Sequence, residues 1–173
     1  MYRAIAPIAA LLLAACQTMP AEPLRATAQL QPTTGSKTIG EAIFEQVGGK
    51  VRVSVFVQGL KPESAHGFHI HEAGDCSSGD GMSAKGHFDP FGKPHGNPAT
   101  AMHHAGDLPM LMAAKDGRAR LEVTLETFTV GPGPASIVGR GLIIHADPDD
   151  FKTQPTGNSG ARIACGVIKA GRP

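Results

Sequence analysis

The chain has 173 residues, enough for one domain with a complete hydrophobic core. Its 22 glycines, 14 prolines, absent tryptophan and 18% charged residues favour short strands and loops over long helices. The formal net charge is +1, and without Arg3 the basic and acidic residues number 15 each. This balance excludes the strongly basic character typical of nucleic-acid-binding proteins, so no nucleic-acid partner is expected.

The first residues predict an export signal rather than a part of the fold. Arg3 is followed by an apolar run from Ile5 to Ala15, which is too short to span a bilayer. This pattern is typical of a secretory signal peptide, here residues 1–15. The run ends in Leu13-Ala14-Ala15-Cys16, which resembles the lipobox of bacterial lipoproteins, in which the cysteine is lipidated and becomes the first mature residue.

A lipidated Cys16 would attach the protein to the bacterial cell envelope, and membrane contact would be made through the lipid alone. Gln17, rather than an aspartate, follows the cysteine and resembles the residue found in lipoproteins sent to the outer membrane. We therefore expect an exported, periplasmic protein. Residues 16–26 include two prolines and predict a flexible tether, and residues 27–173 predict one folded domain.

The cysteine count also indicates an oxidising compartment. The chain has three cysteines, and if Cys16 carries lipid, Cys76 and Cys165 remain. A disulfide between these two would fit an exported protein, whereas two free thiols would fit a cytosolic protein better. Such a bridge closes a long loop and could contribute up to ~4 to 5 kcal/mol to stability.

From residue 26 onward the chain has the pattern of short strands joined by turns. Residues 38–46 and 50–58 flank Gly48-Gly49 and predict a β-hairpin with a glycine turn. In the second segment four valines, at positions 51, 53, 55 and 57, alternate with other residues. This period of two predicts an antiparallel sheet with one buried face.

Further strands are predicted at residues 67–72, 107–113, 118–126, 137–145 and 162–169. Two long loops, residues 73–103 and 146–160, lie between them. The first is rich in Gly, Pro, Ser and His and has no apolar face, so its length needs a functional reason. Together these elements predict an all-β fold, a Greek-key β-sandwich or barrel of about eight antiparallel strands with two long functional loops.

The histidines have the spacing of metal ligands. His69 and His71 lie two apart in a predicted strand, so their side chains share one face at a Cα spacing of roughly 6.5 Å. The first long loop and the residues just after it supply four more donors, which form a closed set suited to structural zinc: His87, His95, His104 and Asp107. His145 would join His69 and His71 in a nitrogen-rich site of the kind that Cu(II) favours.

Several motifs, in the same order, resemble those of bacterial copper/zinc superoxide dismutases. They are Gly67-Phe68-His69-Ile70-His71-Glu72, Gly86-His87-Phe88-Asp89-Pro90, His104-Ala105-Gly106-Asp107-Leu108, Gly139-Arg140 to His145, and Gly160-Ala161-Arg162-Ile163-Ala164-Cys165. The resemblance covers essentially the whole domain. It implies conversion of superoxide to dioxygen and hydrogen peroxide, with one copper and one zinc ion per subunit. The subunit could equally be a monomer or part of a homodimer.

The resemblance also implies roles for individual residues. It assigns copper to His69, His71, His87 and His145. It assigns zinc to His87, His95, His104 and Asp107, so His87 would bind both metals and would also supply a proton. Arg162 would attract and orient the superoxide anion.

An acid is expected behind the ligands, because ligating histidines usually need a partner for their second N–H. Asp149 resembles the family carboxylate that links a copper histidine to a zinc histidine, and Asp147 and Asp150 are close enough to compete for that role. His66 is expected to bond to the backbone, and His103 is expected to face solvent, because adjacent residues of an extended chain point in opposite directions.

Two points stay open at the level of sequence. Compared with the eukaryotic pattern of the family, the loop of residues 146–160 is short, and Pro155 stands near the position of a lysine that helps to steer superoxide there. Lys152 is the candidate substitute. The alternative function is a periplasmic protein that holds copper and zinc without turnover. That function would have been favoured by the loss of a copper histidine or of Arg162, and none is missing.

Overall fold

The structure is a computed structural model that describes residues 24–171. The predicted signal peptide, Cys16 and most of the predicted tether lie outside the described residues. The described residues form ten strands and one 3-10 turn, Met82–Ala84. The strands are β1 (Arg25–Pro32), β2 (Ile39–Val47), β3 (Lys50–Gln58), β4 (Ala65–His66), β5 (Phe68–His71), β6 (Leu111–Met112), β7 (Ala119–Leu125), β8 (Gly141–His145), β9 (Arg162–Val167) and β10 (Lys169–Ala170).

One curled sheet contains most of these strands, in the order β5-β8-β9-β1-β2-β3-β7, with β10 paired to β1. The two short strands β4 and β6 pair with each other, and every strand pair is antiparallel. Strands β8 and β9 return beside β5 and β1 after long connections, as in a Greek key. The predicted all-β fold is therefore confirmed.

The hairpin of β2 and β3 shows how the sequence builds the core. Its register runs from Ile39 opposite Gln58 to Val47 opposite Lys50, and Gly48 adopts the left-handed conformation that the turn requires. The four alternating valines of β3 are all buried, as their period of two predicts. They pack in one apolar cluster with the inward side chains of β1 and β2, Ala26, Ala28, Leu30, Ala42 and Phe44.

Two predicted strands are shorter than expected. The strand predicted at 107–113 is reduced to Leu111–Met112, because Asp107 accepts hydrogen bonds from backbone N–H groups of the preceding loop. The strand predicted at 137–145 begins only at Gly141, because residues 137–140 form a turn in which Gly139 has φ +84°. At the other end, β1 begins at Arg25, so the last residues of the predicted tether belong to the sheet.

The long connections lie where the site residues are. Residues 73–103 contain only the 3-10 turn and an isolated bridge between His87 and His71 of β5, and residues 146–160 contain no strand. The Phe88 backbone N–H donates to the Ile70 carbonyl, and the Gly67 backbone N–H donates to the Asp147 carbonyl. These bonds hold the two loops against β5 and the residue before it. Within residues 24–171, no helix has the length and apolar character needed to cross a bilayer.

Candidate metal centre

Four histidines converge at the end of β5. His69 and His71 extend from β5 and His145 from the end of the neighbouring strand β8, while the isolated bridge brings His87 beside His71. One ring nitrogen of each lies within 4.8 Å of the corresponding nitrogens of the others, and all four residues are buried. The pairing of β5 with β8 therefore brings His69 and His71 close to His145, although at least 74 positions separate them in the sequence.

Each of these imidazoles is fixed by a hydrogen bond at the ring nitrogen that points away from the other three. His71 Nδ1 donates to the Lys85 carbonyl over 2.8 Å, and His145 Nδ1 donates to the Gly160 carbonyl over 3.1 Å. Since a neutral imidazole carries one N–H, the Nε2 atoms of these two histidines present lone pairs. Carboxylates hold the other two rings, with 2.6 Å from His69 Nε2 to Asp149 Oδ2 and 2.8 Å from His87 Nδ1 to Asp107 Oδ1.

The opposite ring nitrogens have no partner. The described residues contain four buried side-chain polar atoms without a hydrogen bond, and all four belong to this group: His69 Nδ1, His71 Nε2, His87 Nε2 and His145 Nε2. Buried polar atoms are normally paired, so this cluster calls for a ligand that accepts four nitrogen lone pairs. A transition-metal cation, and Cu(II) in particular, fits that chemistry.

A second group lies beside the first and shares His87. Around Asp107 Oδ1 are His87 Nδ1 at 2.8 Å, His95 Nδ1 at 3.0 Å and His104 Nδ1 at 3.5 Å. Asp107 Oδ2 accepts backbone N–H bonds from Gly96 and His104, which fix the carboxylate. Three nitrogens and one oxygen form the closed donor set of a structural zinc site, and His87 offers Nδ1 here and Nε2 to the first group.

Burial lowers the pKa values of three histidines of the first group, whereas two carboxylates raise the pKa of His95 in the second. In the first group, burial lowers the pKa of His71 well below its ordinary value, that of His87 to about 4 and that of His145 to about 3. In the second, burial lowers the pKa of His95, but hydrogen bonds to Asp107 and Asp149 outweigh it and raise the pKa to about 9. His71, His87 and His145 are therefore neutral at pH 7, and His95 in the metal-free protein is protonated.

Asp149 connects the two groups. Its Oδ2 lies 2.6 Å from His69 Nε2 and its Oδ1 lies 2.9 Å from His95 Nε2. The exposed Asp150 instead accepts bonds from Lys152 and Thr153 in its own loop. Gly157 makes room for the link, because a Cβ there would lie 1.9 Å from Asp149 Oδ1.

Arg162 lies half-buried at the start of β9. Its Nη1 donates to the Gly81 carbonyl over 2.7 Å and its Nη2 to the Lys85 carbonyl over 2.5 Å. The predicted disulfide between Cys76 and Cys165 is confirmed, with a Cα–Cα distance of 5.8 Å. The disulfide ties the loop that supplies these two carbonyls to the strand that carries the arginine.

The two remaining histidines have structural roles. The expectation for His66 is confirmed, since its Nδ1 lies 2.8 Å from the His145 carbonyl. The expectation that His103 faces solvent was wrong, because its side chain is buried and its Nδ1 lies 2.7 Å from the His104 carbonyl. The chain is not extended at this point, so the alternation rule on which the prediction rested does not apply.

Two residues near the metal centre gave no signal in the sequence. Gln154 accepts from the His95 backbone N–H and donates to the His95 carbonyl, each over 2.9 Å, and so joins the second long loop to the first. Lys85 supplies the carbonyl shared by His71 and Arg162. Neither residue belongs to a periodic pattern or has a ligand-type side chain, so only the path of the loops reveals them.

Comparisons with known proteins agree with this geometry. The family described as copper/zinc superoxide dismutase matches residues 38–168. A protein named superoxide dismutase [Cu-Zn] 2 from Aquifex aeolicus is 40% identical over 150 residues, which cover 84% of this chain and 87% of that protein. A superoxide dismutase [Cu-Zn] of Paramecium bursaria Chlorella virus 1 is 42% identical over 135 residues, covering 75% and 71%. One from Brassica juncea is 43% identical over 151 residues, covering 83% and 96%.

Proposed function

The chain belongs to the copper/zinc superoxide dismutase family, and we propose that it dismutates superoxide with copper at the first histidine group and zinc at the second. The observation that carries this proposal is the set of four buried, unpartnered ring nitrogens that face one another. A single residue, His87, offers one nitrogen to each group. A protein that only stored metal would have no need for this shared ligand.

Bound copper supplies the redox chemistry, since it can oxidise one superoxide to dioxygen and reduce the next to hydrogen peroxide. The residues around it would hold the copper, orient the superoxide anion and supply a proton. Arg162 provides a cation beside the group, with its guanidinium fixed by two carbonyls, and its remaining N–H donors can orient a small anion. His87 can hold a proton at Nε2 because its Nδ1 belongs to the second group.

Zinc has no redox role in this proposal. The second group offers four donors, three histidine nitrogens and one oxygen of Asp107, and so leaves no open position for an activated water. This closed set argues against a hydrolase. The second group would instead fix His87 in place. Asp149 adds a second constraint, because one carboxylate sets the orientation of His69 in the first group and His95 in the second.

The test follows superoxide decay by stopped-flow with the chain from Cys16→Ser onward, loaded with zinc alone and then with equimolar copper. Copper should switch on rapid decay, and His145→Ala should abolish it while zinc binding stays intact. The zinc-only protein is the control. If both metals bind stoichiometrically and decay stays at the buffer rate, the protein holds copper and zinc without turnover.

We also propose that the enzyme is exported and lipid-anchored at Cys16. The apolar run that ends in Leu13-Ala14-Ala15-Cys16 supports this, and the Cys76–Cys165 disulfide supports an oxidising compartment. Metabolic labelling with a radioactive fatty acid in a bacterial host should label the wild-type chain and leave Cys16→Ser unlabelled. Equal labelling of both, or of neither, would refute the anchor.

A further inference from the structure

Lys85 has a backbone conformation that glycine adopts freely and other residues rarely do. Its φ is +63° and its ψ is −147°, in a region where a Cβ atom is strained. The residue ends the 3-10 turn Met82–Ala84 and stands two positions before His87. Strain of this kind persists where the surrounding structure enforces it, and it occurs preferentially at functional sites.

The surrounding bonds explain why the backbone takes this path. The Lys85 carbonyl accepts from His71 Nδ1 over 2.8 Å and from Arg162 Nη2 over 2.5 Å. One peptide group therefore sets the tautomer of a proposed copper ligand and the position of the anion-binding guanidinium. A glycine at this position could make the same two bonds without strain, so the bonds explain the backbone but not the lysine side chain.

The Lys85 side chain carries a cation at the protein surface. It is 62% exposed, and its nearest acid is Glu72, with Nζ 3.5 Å from Oε1. An exposed pair of this kind contributes little to stability. Arg140 donates to the Glu72 carbonyl, and Asp80 is the acid that faces Arg162. The charged groups that these contacts link to Lys85 and Arg162 are therefore one cation, Arg140, and two acids, Glu72 and Asp80.

We propose that Lys85 is a steering and positioning residue for superoxide: its carbonyl holds His71 and Arg162, and its ammonium attracts the anion toward them. This inference rests on the proposed copper site. The ammonium lies within one lysine side-chain length of the backbone carbonyl that bonds both residues. This length does not exceed the Debye length of about 10 Å at 0.1 M salt, so the charge is only partly screened. A single charge at that distance in water changes the local concentration of a monovalent anion about twofold.

The test compares three substitutions of Lys85 in the copper- and zinc-loaded protein. Lys85→Ala removes the charge and keeps the strain, Lys85→Gly removes both, and Lys85→Arg keeps the charge. Lys50→Ala is the matched control, since Lys50 is 59% exposed and pairs with one glutamate, Glu126, at 3.1 Å, in the β2–β3 hairpin. The readouts are kcat/KM, the Kd of azide measured by absorbance as an anion probe, and the Tm of the metal-free protein.

At low ionic strength the Ala and Gly variants should lose about twofold in kcat/KM and bind azide about twofold more weakly, while Lys85→Arg and Lys50→Ala match the wild type. These differences should disappear toward ~1 M salt, where the Debye length falls to ~3 Å. The Gly variant should melt about 2 to 4 °C above the Ala variant, because it relieves the strain.

Three outcomes would overturn the inference. Lys85→Ala could keep the wild-type rate and azide affinity at low salt, its losses could be independent of salt, or Lys50→Ala could show equal losses. Failure of the proposed function would look different, since the wild-type protein itself would then show no copper-dependent decay of superoxide.

Discussion

The proposed copper group is the first group, His69, His71, His87 and His145, and the proposed zinc group is the second, His87, His95, His104 and Asp107. Both consist mainly of histidines but are held together in different ways. In the zinc group, the Asp107 carboxylate accepts bonds from two ring nitrogens and two backbone N–H groups, so its members attract one another without a metal. In the copper group, four imidazoles face one another through unpartnered nitrogens, and each ring is held by a hydrogen bond at its other nitrogen. A metal cation, which accepts these lone pairs, would link the copper group internally.

This difference indicates how a protein can place two metals side by side. A carboxylate makes one site a stable part of the fold, and that site then fixes the shared His87 for the other. Burial lowers the pKa of His71, His87 and His145, so their facing nitrogens are free of protons and available for metal at neutral pH. We expect the zinc group to support the fold and the copper group to support the chemistry.

The largest expected effect comes from removing the carboxylate. Asp107→Ala leaves several buried donors without an acceptor, so it should destabilise the metal-free protein by about 3 to 5 kcal/mol. Urea denaturation of the metal-free protein measures this. The comparison variant is His145→Ala, which loses one 3.1 Å bond to Gly160 and should cost clearly less. Equal losses would mean that the two groups do not differ in this way.

The second largest expected effect is that of pH on stability, because lowered and raised histidine pKa values act in opposite directions. His87 and His145 have folded pKa values of about 4 and about 3, below the unfolded value near 6.5, so stability is lost as pH falls from about 6.5 toward those values. His95 has a raised pKa of about 9, so its contribution is complete below about 6.5 and is lost only as pH rises toward 9. Lowering the pH from 7 to 5 should cost the metal-free protein about 3 kcal/mol in net stability.

The measurement is urea denaturation of the metal-free protein at both pH values. The control is His145→Ala, which lacks one of the titrating groups and should show a smaller drop. A pH dependence that is the same in the variant, or a gain in stability at pH 5, would contradict the assignment of the low pKa values to the copper group.

The link between the groups comes third. Asp149→Asn should weaken the binding of both metals by about 10- to 100-fold, because Asp149 orients one histidine in each group. Competition titrations with a chelator measure each affinity. Asp150→Asn, one residue away and bonded only within its own loop, should change neither affinity by more than about twofold. Loss of affinity for only one metal would show that Asp149 does not couple the sites.

The smallest expected effect concerns the loop contact. Gln154→Ala removes two side-chain bonds to the His95 backbone and should destabilise the protein by about 1 kcal/mol, with zinc affinity reduced by up to about tenfold. Copper affinity should change less, since His95 belongs only to the zinc group. Gln29→Ala is the control, because Gln29 makes one exposed bond to Glu41. Identical results for the two variants would show that Gln154 does not support the zinc site.

Much of the fold was predictable because it depends on local patterns. The alternating valines and Gly48-Gly49 predicted the β2–β3 hairpin to within one residue at each boundary. The pattern failed where a side chain bonds to the backbone of an irregular loop: Asp107 accepts from the Gly96 and His104 N–H groups, and the predicted strand there is short. The prediction for His103 failed for the same reason, since it assumed an extended chain.

The sequence by itself identified the candidate site residues that the structure brings together: six histidines and an aspartate at ligand spacing, an arginine before the last cysteine, and two cysteines that pair. Tertiary structure alone decided which ring nitrogen of each histidine faces the centre. It placed Asp149, rather than Asp147 or Asp150, between His69 and His95, and it brought Lys85 and Gln154 into contact with the site. The physical reason is that these bonds join residues 14 to 80 positions apart, and they follow from the paths of two irregular loops, which no periodic pattern encodes.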